Sequence, residues 1–114
     1  MADLFENWRT QIRKGYLELC VLTLIETRGK VYGFELLETL SNEGLEVKEG
    51  TLYPILNRMG LDGTLESTWD TENLKGHPRK FYRLTKTGQK TLANMRREFI
   101  EMLKILKSFE NERS

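Results

Sequence analysis

The sequence predicts a mainly α protein with one two-stranded β hairpin and a long C-terminal helix. Three observations lead there. Apolar residues recur at three- and four-residue spacing in successive segments before residue 62, the period of buried helix faces. A threonine-containing alternating stretch and an aromatic one then flank a turn holding Gly76 and Pro78, the pattern of a hairpin. Beyond Thr85 the helical spacing returns and holds to Phe109.

The first helix is expected over Asp3 to about Arg28. Leu4, Phe5, Trp8 and Ile12 mark one face, and from Tyr16 to Ile25 only Glu18 and Thr23 interrupt the apolar residues, as in a helix buried on several sides. Gly15 costs about 1 kcal/mol in a helix interior, so a break or kink is expected there. A second helix spans Tyr32 to Asn42, with Gly33, Leu36, Leu37 and Leu40 on one face. A third runs from about Glu49 to Leu61 on Leu52, Ile55, Leu56 and Met59. Pro54 has no amide hydrogen, which fixes that helix start close to Glu49 or Thr51. Leu65 to Glu72 reads as a strand, 73–78 as a turn, and Phe81, Tyr82 and Leu84 as the returning strand. Thr85 is a suitable N-cap for the last helix. Helix, helix, helix, strand, strand, long helix is the order of a winged helix-turn-helix, with 32–42 and 49–61 as the paired unit. The expected division is a winged helix-turn-helix over 1–88 and a dimerisation helix over 89–114.

Composition narrows the function. The 114 residues carry 18 Lys and Arg against 17 Asp and Glu, a formal net charge of +1, so affinity for a polyanion must come from charge placement. The longest apolar run, Leu19 to Leu22, is four residues, too short for a membrane span. No charged-then-apolar leader pattern opens the chain, and Cys20 has no second cysteine to pair with. A cytoplasmic location without membrane partners is expected. With one histidine, one cysteine, no glycine-rich phosphate loop and no paired metal-ligand spacing, neither catalysis nor a cofactor or metal is expected. Cys20 reads most simply as a small core residue.

Charge along the hairpin is segregated. Asp62 to Glu72 holds four acids and no base, whereas Lys75 to Lys86 holds five bases and no acid, with His77 beside them. Clustered cations near a hairpin tip suit a phosphate backbone, since each contact releases condensed counterions. The third helix presents Thr51, Tyr53, Asn57 and Arg58 away from its apolar stripe, types able to reach phosphates or base edges in a major groove. Glu35, Glu38, Glu43, Glu46 and Glu49 precede or open that helix and must turn away from a duplex. The bland alternatives are a solvated turn and a solvated helix face, and the competing class is a winged helix that binds a ligand or protein without DNA.

In the last helix Leu92, Met95, Phe99, Met102, Leu106 and Phe109 are spaced by three, four, three, four and three residues, a heptad seam. A small domain cannot cover so much apolar surface alone, so a two-fold dimer is expected, with folding back on the same domain as the alternative. A dimer presents two recognition helices to half-sites about 34–36 Å apart on a palindromic duplex. Trp8, Met95, Phe99 and Met102 are candidates for an adaptable inter-subunit site for flat apolar compounds, or else simply fill the interface.

Four stretches resemble the PadR family of bacterial transcriptional regulators, its small subfamily in particular: Lys14 to Leu19, Val31 to Leu36, Gly50 to Arg58, and Gly76 to Gly88. The resemblance implies a winged-helix dimer joined through its first and last helices. It also implies repression of a nearby promoter, often one for detoxification or drug efflux, relieved by a small aromatic or hydrophobic effector. Carried over by position, it makes Thr51, Tyr53, Pro54, Asn57 and Arg58 recognition-helix contacts, with Tyr32 at the start of the preceding helix and Lys75, His77, Arg79 and Lys80 on the wing. The chain departs from the usual pattern at Lys48-Glu49, where Ser-Pro is common, at Gly60, where an acid is common, and at Phe99, since the last helix has no tryptophan.

Overall fold

A computed structural model describes residues 3–70 and 79–112. Helix α1 (Leu4–Arg28) starts where the Asp3 carboxylate accepts the Phe5 N–H at 3.0 Å, which satisfies one of the free amides of the first turn. It ends at Gly29, whose φ of 85° is a conformation that only glycine adopts without strain. The expected break at Gly15 does not occur. Leu17, Val21, Leu22 and Ile25 are all buried, and packing on that scale outweighs the cost of one exposed glycine.

A strand absent from the sequence-based order follows. β1 (Val31–Tyr32) leads into α2 (Gly33–Asn42), α3 (Glu49–Leu61), β2 (Leu65–Asp70), β3 (Arg79–Leu84) and α4 (Lys86–Asn111). The sheet therefore has three antiparallel strands in the order β1-β3-β2, with Val31 opposite Tyr82 and Tyr32 opposite Phe81. The 73–78 turn lies outside the described residues. β2 (Leu65–Asp70) falls within the expected Leu65 to Glu72, whose last two residues lie outside the described residues, and β3 begins at Arg79, two residues before Phe81.

α3 begins at Glu49, so Pro54 is its sixth residue. Lys48 is its N-cap but makes no side-chain cap bond. Pro54 and Gly50 are both exposed, which lets water reach the Gly50 carbonyl that Pro54 cannot serve. At the start of α4, Thr85 Oγ1 accepts the Gly88 N–H at 2.9 Å, as expected of an N-cap. The core gathers Leu22, Ile25, Leu36, Leu52 and Leu56 from the first three helices with Val31, Leu65 and Tyr82 from the sheet.

Leu92 belongs to the same core and is fully buried within its own chain. Its assignment to a dimer seam is therefore corrected: no surface of it remains for a partner. Met95 packs partly against the same core.

Candidate nucleic-acid interface

Tyr53 is positioned by its neighbour's lack of a side chain. A β-carbon on residue 33 would come within 2.7 Å of Tyr53 Cε1 and 2.9 Å of its hydroxyl. Gly33 thus allows α3 to set this ring against the first turn of α2. Thr51, Pro54 and Asn57 are exposed on the same helix.

Tyr32 sits beside this ring, at the junction of β1 and α2. Its N–H donates to Glu35 Oε1 at 3.1 Å, and its ring stacks on Phe81 with centroids 3.9 Å apart. The hydroxyl donates to Asp70 Oδ2 at 2.9 Å, and the Arg79 guanidinium carbon lies 5.0 Å from the ring centre. Loss of solvation and then the bond to Asp70 push the Tyr32 phenol above its ordinary 10.0, against an opposing pull from Arg79. The Lys80 ammonium is 5.7 Å from the ring centres of both Trp69 and Tyr82, near enough for cation–π attraction. Burial, followed by the neighbouring Tyr53, raises the Tyr82 phenol as well.

Two shallow grooves meet at Lys80. One, of about 560 Å³, runs between Tyr32, Gly33, Tyr53 and Arg79. The other, of about 600 Å³, is lined by Asn57, Leu61, Ser67 and Lys80. Helix α3 and the β3 cations thus share one continuous surface. Glu35 is engaged by the Tyr32 N–H and by Arg28 at 3.9 Å. Glu38 stands on the rim of the first groove, contrary to the expectation that every acid turns away. Glu43 lines a groove on another face, between α1, α2 and α4.

Register alters the segregated charges. Glu66 lies opposite Arg83 and Asp70 opposite Arg79, so the acidic strand faces the basic one directly, a favourable cross-strand arrangement. Arg58 is engaged within its own chain: its guanidinium pairs with Glu18 of α1 and lies 3.9 Å from Asp62, while the side chain stays exposed. Lys75 and His77 lie outside the described residues. Sequence reading placed Gly33, Trp69, Asp70 and Phe81 in its elements but did not single them out as site residues. For Trp69, Asp70 and Phe81 the available signal was the placement of aromatics beside charges at the two ends of 69–83.

The model of the transcriptional regulator PadR-like family matches residues 21–94. The chain belongs to that family. A transcriptional regulator of Mycobacterium tuberculosis is 38% identical over 73 residues, covering 64% of this chain and 66% of that one. A PadR family regulator from Eggerthella lenta has a similar crystal structure, with TM-score 0.82 and 29% identity over 94% of this chain and 92% of that one. A PadR-like transcription factor from Bacteroides fragilis gives TM-score 0.77 and 34% identity over 90% of this chain and 98% of that one. The PadR-like winged fold and a role as a transcriptional regulator, not an enzyme, follow.

On the other side of this PadR-like chain, α1 and α4 pack together. Tyr16 and Phe99 are 5.8 Å apart between ring centres, and Arg96 donates to Glu26 at 2.8 Å. Trp8, Met102, Leu106 and Phe109 remain exposed. Of the four candidate effector residues, Phe99 lines a groove of about 640 Å³ that also touches the half-buried Cys20. Trp8 instead stacks on Phe5 at 6.1 Å, so one chain alone does not bring Trp8, Met95, Phe99 and Met102 into a single cavity. Among the described residues no helix is long and apolar enough to cross a membrane.

Proposed function

We propose that this regulator is a cytoplasmic homodimer that binds a palindromic DNA operator and represses a nearby promoter. The observation that carries this reading is the shared surface of α3 and β3, where exposed Thr51, Pro54 and Asn57 adjoin Tyr32, Tyr53, Arg79 and Lys80. Lysine and arginine beside a helix with polar side chains can hold phosphates while that helix reads base edges. Lys75 and His77 extend the basic segment in sequence and complete the phosphate contacts. The relatives named as transcriptional regulators support the same activity.

The dimer rests on exposed apolar surface. Leu4, Phe5 and Trp8 of α1 and Met102, Leu106 and Phe109 of α4 are each more than half exposed. Covering each large apolar side chain is worth about 1.5–3 kcal/mol, and patches of this kind mark association surfaces. A second chain would cover them and close a space beside Trp8, Met95, Phe99 and Met102 for a flat hydrophobic effector that releases the operator.

Selection of genomic fragments by the purified protein tests the reading. Enrichment of a palindromic site close to a promoter is expected. Failure to retain any duplex at moderate salt would replace it with a winged helix that binds a ligand or protein alone.

A further inference from the structure

The proposed DNA surface contains an anion. Asp70 closes β2 directly opposite Arg79, and its carboxylate accepts the Tyr32 hydroxyl at 2.9 Å. Arg79 approaches the Tyr32 ring from β3, and stacking on Phe81 fixes that ring. One carboxylate therefore occupies the hydroxyl donor, and faces the guanidinium, that would hold a backbone phosphate. Glu66 offers an internal comparison. It lies four residues earlier on the same sheet face, opposite Arg83, and the Tyr32 hydroxyl goes to Asp70 instead.

We propose that Asp70 is a positioning residue that restrains sequence-independent DNA binding, its carboxylate standing in the free protein where a DNA phosphate stands in the complex. This rests on the DNA-binding reading above. Carboxylate and phosphate oxygens compete for the same donors in charge-assisted hydrogen bonds. In the free protein Asp70 holds the Tyr32 hydroxyl and Arg79 lies over the same ring, so both are in place when DNA arrives. On any duplex the Tyr32–Asp70 bond must be surrendered and the carboxylate brought near a phosphate. That penalty is independent of sequence, and only base contacts from α3 offset it. A repulsive element of this type lowers affinity for every duplex by the same factor, which holds down retention on random sequence and leaves the ratio between right and wrong sites unchanged.

The test measures binding of the full chain to a random-sequence duplex across a salt series. Asp70→Asn should bind about three- to tenfold tighter at low salt, with a salt dependence steeper by about one unit. Glu66→Gln removes an equal charge and should give a smaller gain with no change of slope. In a Tyr32→Phe background, Asp70→Asn should gain less than it does in the wild type. If Asp70→Asn lowers the melting temperature, Asp70→Ser repeats the test with a neutral hydroxyl as acceptor. Equal gains from Asp70→Asn and Glu66→Gln, or an undiminished gain in the Tyr32→Phe background, would overturn the role of Asp70 and leave DNA binding intact. Wild-type protein that retains no duplex would overturn the DNA-binding reading itself.

Discussion

Gly88, in the first turn of α4, lies so close to Thr64 that a β-carbon on it would overlap the Thr64 carbonyl oxygen. The two residues clamp the start of the last helix to the turn between α3 and β2. Thr64 also accepts the Thr85 N–H at 3.1 Å, so backbone on both sides is fixed. Gly88→Ala cannot be accommodated by rotating a side chain. It should destabilise the fold by about 1–3 kcal/mol, read as a lower midpoint in urea denaturation. An unchanged midpoint would show that α4 can shift freely against the turn.

Gly15 gives the opposite expectation. A β-carbon there meets nothing within 4 Å, and the residue lies inside an unbroken helix. Gly15→Ala should stabilise the protein by about 0.5–1 kcal/mol through the lower entropy of its unfolded chain. Thermal denaturation at fixed protein concentration checks this. A loss of stability would mean that a second chain packs closely against this turn of α1.

Gly15 also shows where sequence reading succeeds and where it stops. The limits of α1, α3 and α4 were legible because apolar periodicity and the cap Thr85 are local signals. The weight of tertiary packing against one glycine is not local, and the break expected there is absent. β1 was invisible for a related reason. Two residues are too few to show alternation, and Val31–Tyr32 become a strand only by pairing with β3, about fifty residues later. The heptad arithmetic of α4 likewise could not divide residues covered by their own chain from those left exposed, and so Leu92 was misassigned. Recognition-helix residues were identifiable by type, but the pairing of Arg58 with Glu18 joins positions forty residues apart.

The exposed part of the α4 seam makes a direct prediction about assembly. Met102 and Leu106 are four residues apart, each about half exposed, and neither is among the buried core residues. Met102→Glu with Leu106→Glu should convert dimers to monomers in sedimentation velocity while helical circular dichroism persists. Two charges facing each other across a two-fold must each be desolvated without a partner, which opposes association without burdening the isolated chain. Dimers that survive the double substitution would move the interface to the N-terminal face carrying Leu4, Phe5 and Trp8.

Arg58 distinguishes a base reader from a tether. A guanidinium reading guanine would lose about 1–3 kcal/mol of discrimination on truncation, and the loss would be confined to the cognate site. Here the guanidinium turns toward Glu18 on α1 and Asp62 at the end of α3, so it joins the first helix to the recognition helix. Both partners keep substantial solvent exposure, and such a pair is worth only about 0–1 kcal/mol. Arg58→Ala should therefore lower stability slightly and weaken binding to selected and random duplexes by the same factor. Glu18→Gln should lower stability to a similar extent yet strengthen binding to random duplex, because it frees the cation while leaving it in place. Filter-binding titrations of both variants against a selected site and a scrambled one decide the matter. A loss of tenfold or more in Arg58→Ala on the selected site alone, about 1.4 kcal/mol, would show that the guanidinium leaves Glu18 on binding and reads a base.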